Sequence, residues 1–265
     1  MVLFTSIASP LSSSFSLNMS VPNDDVRIAT PSDIAAIETW LPAVGSVDTL
    51  ACNWPMALRE FEKGQLLVWE DKVSAQPVAY FWGTLNSTDS VLEVHPHYRC
   101  RGVGRAFAEY LMGRSAASEE PLLEIECPTE SSVHFWRALG FSVERTRRGG
   151  YSTHMGRRIL ALPQELPDGP RVQAAVRFLS EEATHGGGST GRVLSEWSGA
   201  AVCTSPTRTV LPLKVACFNL DNDKDLAVEV TLRGHRVCLD KAKYSGEYGV
   251  RRCENGFMIG AITHE

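Results

Sequence analysis

In 91-VLEVHPHYRCRGVGRAFAEYLM-112 a run that alternates like a β-strand passes through His-Pro into Arg99-Cys100-Arg101-Gly102-Val103-Gly104 and then into helical spacing. A strand that ends in a glycine-containing loop and enters a helix turns several backbone N–H groups the same way. They gather at the positive end of the helix dipole, and such a place binds phosphate. Gly102 and Gly104 let the backbone approach an anion and take up turn geometry, while Val103, Ala106, Phe107, Tyr110 and Leu111 anchor the helix through one apolar face. Arg99, Arg101 and Arg105 can meet further phosphate charge. The spacing is not a P-loop, because no Gly-Lys-Ser/Thr follows, and it lacks the G-x-G-x-x-G of a dinucleotide fold.

Carboxylates lie close to this stretch in the chain. Glu93 precedes the loop, and 123-LEIECPT-129 carries Glu124 and Glu126, which strand alternation places together, away from Leu123 and Ile125. Two glutamates sharing a cleft would raise one another's proton affinity and attract a cation. The plainer reading is a solvated strand face.

The elements that must position these residues follow from hydrophobic period. Val26–Ala29 is a short apolar run, and 30-TPSDIAAIETWL-41 reads as a helix with Thr30 as N-cap, Pro31 in the first turn and Asp33 reaching back. In 47-VDTLACNWPMALREFEKG-64, Pro55 interrupts helical spacing, which predicts two short helices or one broken one, a kind of element that often lines a substrate entrance. Strands are expected at 65–71, 77–85 and 89–95, a helix at 102–113, a strand at 122–127, and a helix at 129–139 closed by Gly140. A strand or hairpin from Phe141 to Met155 completes a mixed α/β unit of order βααβββαβαβ.

Beyond it the character changes. The three prolines of 161-ALPQELPDGP-170 suit a linker, 171-RVQAAVRFLSEEA-183 reads as a helix, and 185-HGGGSTG-191 as a flexible connector. Short strands follow at 208–218, 226–232, 235–240, 247–252 and 257–262, with turns at Arg233-Gly234 and Glu254-Asn255-Gly256. The expected division is a disordered lead-in over 1–24, an α/β unit over 25–158, a linker over 159–170 and a small β-rich α+β unit over 171–265.

The 265 residues are 43% hydrophobic and 22% charged, with a formal net charge of −5. That allows two modest cores and carries no electrostatic footprint of a nucleic-acid binder. Residues 1–18 hold no Lys or Arg, unlike a secretory or transit leader, and are too short and polar to span a bilayer; Met19 is an alternative start. Seven cysteines without a C-x-x-C pair argue against a disulfide framework or a zinc ribbon, so the default compartment is cytoplasmic.

With these elements around it, the stretch Arg99-Cys100-Arg101-Gly102-Val103-Gly104 resembles the cofactor motif of the GNAT superfamily of N-acetyltransferases, and 135-FWRALGF-141 resembles its second hallmark, Phe-Tyr-x-x-x-Gly-Phe. The resemblance covers about residues 25–157. It implies a sheet flanked by helices and splayed beside the 91–94 strand, with acetyl-CoA, a co-substrate, lying in the cleft. The backbone of Leu92, Glu93 and Val94 would pair with the pantetheine arm, and Val94 would hold the thioester oxygen. After Arg99, the amides of Cys100, Arg101, Gly102, Val103, Gly104 and Arg105 would cradle the pyrophosphate. Thr129 stands where many members have a cofactor-binding Asn, and is equally a plain N-cap.

The implied reaction is transfer of acetyl to a primary amine of a small molecule or peptide by direct attack, without a metal. An amine is protonated at neutral pH, so a base must take its proton. Glu124 matches the base of the branch that acetylates protein amino termini, and Glu93 lies in the strand facing the acetyl group. The tyrosine that usually protonates the leaving thiolate is here Trp136, which cannot act as an acid. Three explanations fit: the step dispenses with an acid, since a thiol leaves tolerably; His134, Tyr151 or Tyr110 substitutes; or the unit is a CoA-binding sensor or interaction module with reduced turnover. The C-terminal part shapes acceptor choice, supports a homo-oligomer, or is itself a protein-interaction domain. Its four cysteines and its 221-DNDKD-225 acidic run read as buried thiols and a polar turn rather than metal sites.

Overall fold

The computed structural model describes residues 24–41, 53–148, 151–180, 191–219 and 226–264. The lead-in, most of the Gly-rich connector, the 221–225 acidic run and the segment before Asn53 lie outside these residues. Strand β1 (Val26–Ile28) leads into helix α1 (Pro31–Trp40), whose start carries the expected capping box between Thr30 and Asp33. Helix α2 (Trp54–Glu62) carries Pro55 in its first turn, where proline suits a helix start; the part of the expected broken helix before Asn53 lies outside the described residues.

Strands β2 (Leu67–Asp71), β3 (Gln76–Trp82) and β4 (Val91–Val94) then make an antiparallel sheet of order β1-β2-β3-β4. Helix α3 (Val103–Ala117) crosses to β5 (Leu122–Cys127), helix α4 (Glu130–Ala138) follows, and the hairpin β6 (Ser142–Arg148) and β7 (Tyr151–Ile159) closes a second sheet of order β5-β7-β6. β4 and β5 belong to different sheets. The core has two sides: Phe81, Phe107, Leu111 and Leu123 pack under α3, while Ile37, Trp40, Tyr80 and Trp82 pack under α1 and α2.

Among the described residues the C-terminal sheet is eight-stranded: β8 (Leu162–Pro163) pairs with β11 off the main path, and β9 (Arg171–Leu179), β10 (Val193–Ser205), β11 (Arg208–Phe218), β12 (Ala227–Leu232), β13 (His235–Lys241), β14 (Val250–Cys253) and β15 (Gly256–Thr263) run in the order β13-β12-β9-β10-β11-β15-β14. The helix expected over 171–183 is a correction. Its described part is β9, the strand between β10 and β12, with Ala174, Val176 and Phe178 buried at a period of two. Pairing on both edges overrides the helical propensity of a short Ala-containing run. β10 passed unnoticed in the sequence because its alternation mixes Ser, Gly and Ala with few large apolar residues.

The proline-rich stretch is tied down rather than free. Strand β8 (Leu162–Pro163) pairs with β11, and Gln164 Nε2 donates to the carbonyls of Leu211 (3.0 Å) and Gly260 (2.7 Å). Leu160 and Leu162 belong to the core under α3. Both expected two-residue turns are present: Arg233 and Gly234 have φ of 52° and 81°, and Cys253 pairs with Gly256 around Glu254 and Asn255.

Candidate active site

Antiparallel pairing dictates what β4 offers. The amide of His95 donates to Val78 on β3, so alternation points the backbone groups of Leu92 and Val94 away from β3, toward β5. Arg99 Nε donates to the Val94 carbonyl at 3.1 Å from that side. The Glu124 amide of β5 donates to the carbonyl of Leu85, in the connection between β3 and β4, at 2.8 Å. From there the strands part, and a cleft of about 820 Å³ opens between them.

At its wide end the cleft reaches the glycine loop. Cys100 (φ 59°) and Gly102 (φ 89°) are both left-handed, and Gly102 is the N-cap of α3, with no side-chain cap. The loop therefore turns main-chain amides at the helix start into the cleft, a concave arrangement suited to an anion. A Cβ on Gly102 would meet nothing within 4 Å, so the backbone there is bare, whereas one on Gly104 would come within 3.3 Å of Val94 Cγ2 and 3.5 Å of the Phe135 ring. The first glycine is needed for its φ and the second for close packing. Arg101 lies over the Tyr98 ring at 5.4 Å, and Arg105 faces Glu109 at 3.5 Å.

Leu92, Glu93, Val94, Arg99, Cys100, Gly102, Gly104, Arg105 and Thr129 all line the cleft. Thr129 Oγ1 accepts from the Ser132 amide at 3.1 Å, so it serves as the N-cap of α4 while facing the cleft. Most of the residues expected to hold a diphosphate and its extended arm thus line one cleft, while Arg101 and Val103 are not among the lining residues.

The carboxylates part company. Glu93 lines the cleft, is 8% exposed, and accepts from Arg99 Nη2 at 2.8 Å. Burial pushes its pKa up, and the Arg99 guanidinium pulls against that without cancelling it. Glu126 also lines the cleft and accepts from Thr153 Oγ1 at 2.6 Å. Glu124 is not among the lining residues; its carboxylate is held by Arg157 Nε at 2.7 Å. The two glutamates of β5 therefore do not share the cleft.

Trp136 lines the cleft and is 7% exposed, its ring set edge-on against Phe135 and Phe141 with centroids 5.0 Å apart in each pair. His134 is exposed, Tyr110 packs against the core under α3, and neither lines the cleft. The Tyr151 side chain lies outside the described residues.

Sequence reading missed further lining residues: Asn53, the N-cap of α2, Met56 of α2, Trp82 of β3, and Thr88, Asp89 and Ser90 of the β3–β4 connection. Pro55 had marked α2 as a candidate entrance element. The connection residues carried no signal beyond their polarity.

Among the described residues no cluster of His, Cys, Asp or Glu side chains is placed to hold a metal ion, and no helix is long and apolar enough to cross a membrane. No protein-family model and no curated protein matches the chain. Solved structures match its N-terminal part, leaving the C-terminal region unmatched. Ard1 of Thermoplasma volcanium is 17% identical over 51% of this chain and 96% of its own, with a TM-score of 0.40. The ribosomal-protein-alanine N-acetyltransferase of Brucella melitensis is 18% identical over 51% and 99%, with a TM-score of 0.38. A GNAT superfamily phosphinothricin acetyltransferase of Sinorhizobium meliloti, solved with AcCoA, is 23% identical over 51% and 87%, with a TM-score of 0.37. Many of the solved structures to which about half of this chain is similar are GNAT acetyltransferases.

Proposed function

We propose that this chain is an N-acetyltransferase that moves an acetyl group from acetyl-CoA to a primary amine of a small molecule or peptide. One observation carries the reading: the open edge of β4 runs into a glycine-bared cluster of amides at the start of α3, with a buried carboxylate on the same strand.

The loop amides from Cys100 to Arg105 would grip a diphosphate through charge-assisted hydrogen bonds. Leu92 and Val94 would receive an extended amide-bearing arm as an added strand edge. Glu93 is the base, because it lines the cleft and burial has raised its proton affinity toward the working range. Glu126 supplies a second negative charge for a cationic amine. Glu124, engaged by Arg157, is left a structural role.

The bookkeeping is simple. The ammonium gives one proton to Glu93, its nitrogen bonds to the thioester carbon, the C–S bond breaks, and the second nitrogen proton ends on the thiolate. The Val94 amide would stabilise the charge developing on the carbonyl oxygen. With Trp136 in the wall and no tyrosine hydroxyl lining the cleft among the described residues, the thiolate would depart without a dedicated acid. The same indole favours the second reading, a CoA-binding sensor with reduced turnover.

Thiol release from acetyl-CoA across a panel of amines tests the proposal. Acceptor-dependent release supports transfer. CoA binding without release in any acceptor selects the sensor, and no binding of CoA overturns both.

A further inference from the structure

Arg99 opens the anion loop yet spends its donors on the strand. Its Nη2 bonds Glu93 Oε1 at 2.8 Å and its Nε bonds the Val94 carbonyl at 3.1 Å, while the side chain stays 48% exposed at the cleft wall. A guanidinium presents a planar fork that fits carboxylate and phosphate equally well. The residue is therefore within reach of two competing anions, one on β4 and one that the adjacent loop amides are arranged to receive.

We propose that Arg99 couples the two ends of the cleft: it holds the Glu93 carboxylate and the Val94 carbonyl, and turns to the diphosphate when CoA enters, releasing both. This rests on the CoA reading above. Arg99 is then a positioning residue that acts through Glu93. Once it leaves, Glu93 is a nearly buried carboxylate without its cation, and the Val94 carbonyl becomes available to an amide N–H of the arm.

The groups facing Glu93 reinforce the change. Glu126 from β5 and Asp89 from the β3–β4 connection line the same cleft and are acids. Tyr80 stands opposite Glu93 in the β3 register, and α2 contributes only the untitratable Asn53 and Met56. His95, two residues along β4, has its proton affinity lowered by burial and by the neighbouring His97 and Arg99. Arg105, the other cation lining the cleft, is turned to Glu109 and the Ala138 carbonyl, so withdrawal of Arg99 takes away the hydrogen-bonded counter-charge of Glu93. Base strength thus rises only after the acyl donor is seated, which orders the reaction: cofactor first, amine deprotonation second.

Carboxyl NMR titration of the full chain, labelled on glutamate side chains and compared with Glu93→Gln for assignment, tests this. The probe is CoA, with binding followed in parallel by thermal stabilisation. In the wild type the Glu93 pKa is expected to rise by roughly one pH unit or more on saturation with CoA. In Arg99→Met it should already stand at the higher value, and CoA should move it less. An equal CoA-induced rise in both proteins, or no rise despite binding, overturns the coupling and leaves the CoA reading standing. Absence of CoA stabilisation in the wild type overturns the reading beneath it. If Arg99→Met does not fold, the Arg99 Nε signal of the wild type decides: it must move with the same CoA dependence as Glu93, and a static signal overturns the proposal.

Discussion

Glu93 is pulled in two directions, since burial favours the neutral acid and Arg99 favours the carboxylate, with burial the larger. A base works only when ionised, so kcat/KM should be lost as pH falls through the raised Glu93 value, giving an acidic limb above the usual carboxylate range. Glu93→Gln should lower kcat by roughly 10²–10⁴-fold and remove that limb, while thermal stabilisation by acetyl-CoA persists. Glu124→Gln should keep the rate near wild type. A profile unchanged in Glu93→Gln and abolished in Glu124→Gln would return the base to β5. At this scale the resemblance singled out Glu124 and Glu93 as candidate bases but could not choose between them, because packing against Arg157, Thr153 and Arg99 separates the roles of the three glutamates.

Helix starts govern the element scale. Gly102 caps α3 at a φ of 89°, where an L side chain costs roughly 1–2 kcal/mol, and its open surroundings add no clash. Gly102→Ala should therefore lower stability by about that amount in chemical denaturation. Gly104→Glu places a carboxylate against Val94 and in the anion loop, so stabilisation by acetyl-CoA, RT ln(1 + [L]/Kd), should vanish in a thermal shift assay. At α1 the capping Asp33 is 3% exposed and paired with Arg27 at 2.5 Å. Burial pushes its pKa up, but bonds from Arg27 and Thr30 outweigh this and leave it lowered. A depressed carboxylate contributes stability that is present above its unfolded value and lost as pH falls through the folded one. Asp33→Asn should cost about 2–3 kcal/mol at neutral pH, with Arg27 a third exposed, and should flatten the acid side of the stability profile.

Across the whole molecule the C-terminal sheet is joined to the N-terminal half by a small apolar cluster, in which Leu122 of β5 meets Ala216, Cys253 and Met258. Around it, Glu119 pairs with Lys214 at 2.6 Å and Arg251 at 3.3 Å, and Asn255 Nδ2 donates to the Asn86 carbonyl at 2.5 Å. Glu119 is solvent-exposed in both pairs and Arg251 in its own, so these bonds are each worth about 1 kcal/mol and burial of Leu122 dominates. Leu122→Ala should cost about 2–5 kcal/mol, and calorimetry should show the two halves melting in one transition in the wild type. Asn86 belongs to the β3–β4 connection, whose Thr88, Asp89 and Ser90 line the cleft, so the far sheet braces that connection.

The alternation of 91–94, the loop from Arg99 to Gly104 and the helix behind it were legible in the sequence because hydrophobic period, glycine conformation and capping are local properties. The capping box at Thr30 and the tight hairpin turns were legible for the same reason. What only the tertiary structure decided is non-local: that β4 and β5 part company, that Glu93 is buried while Glu124 is engaged elsewhere, and that 171–179 is a strand paired on both edges. Each of these depends on which distant strand supplies a hydrogen-bond partner or a counter-charge, and a residue's own neighbours in the chain carry no record of that choice.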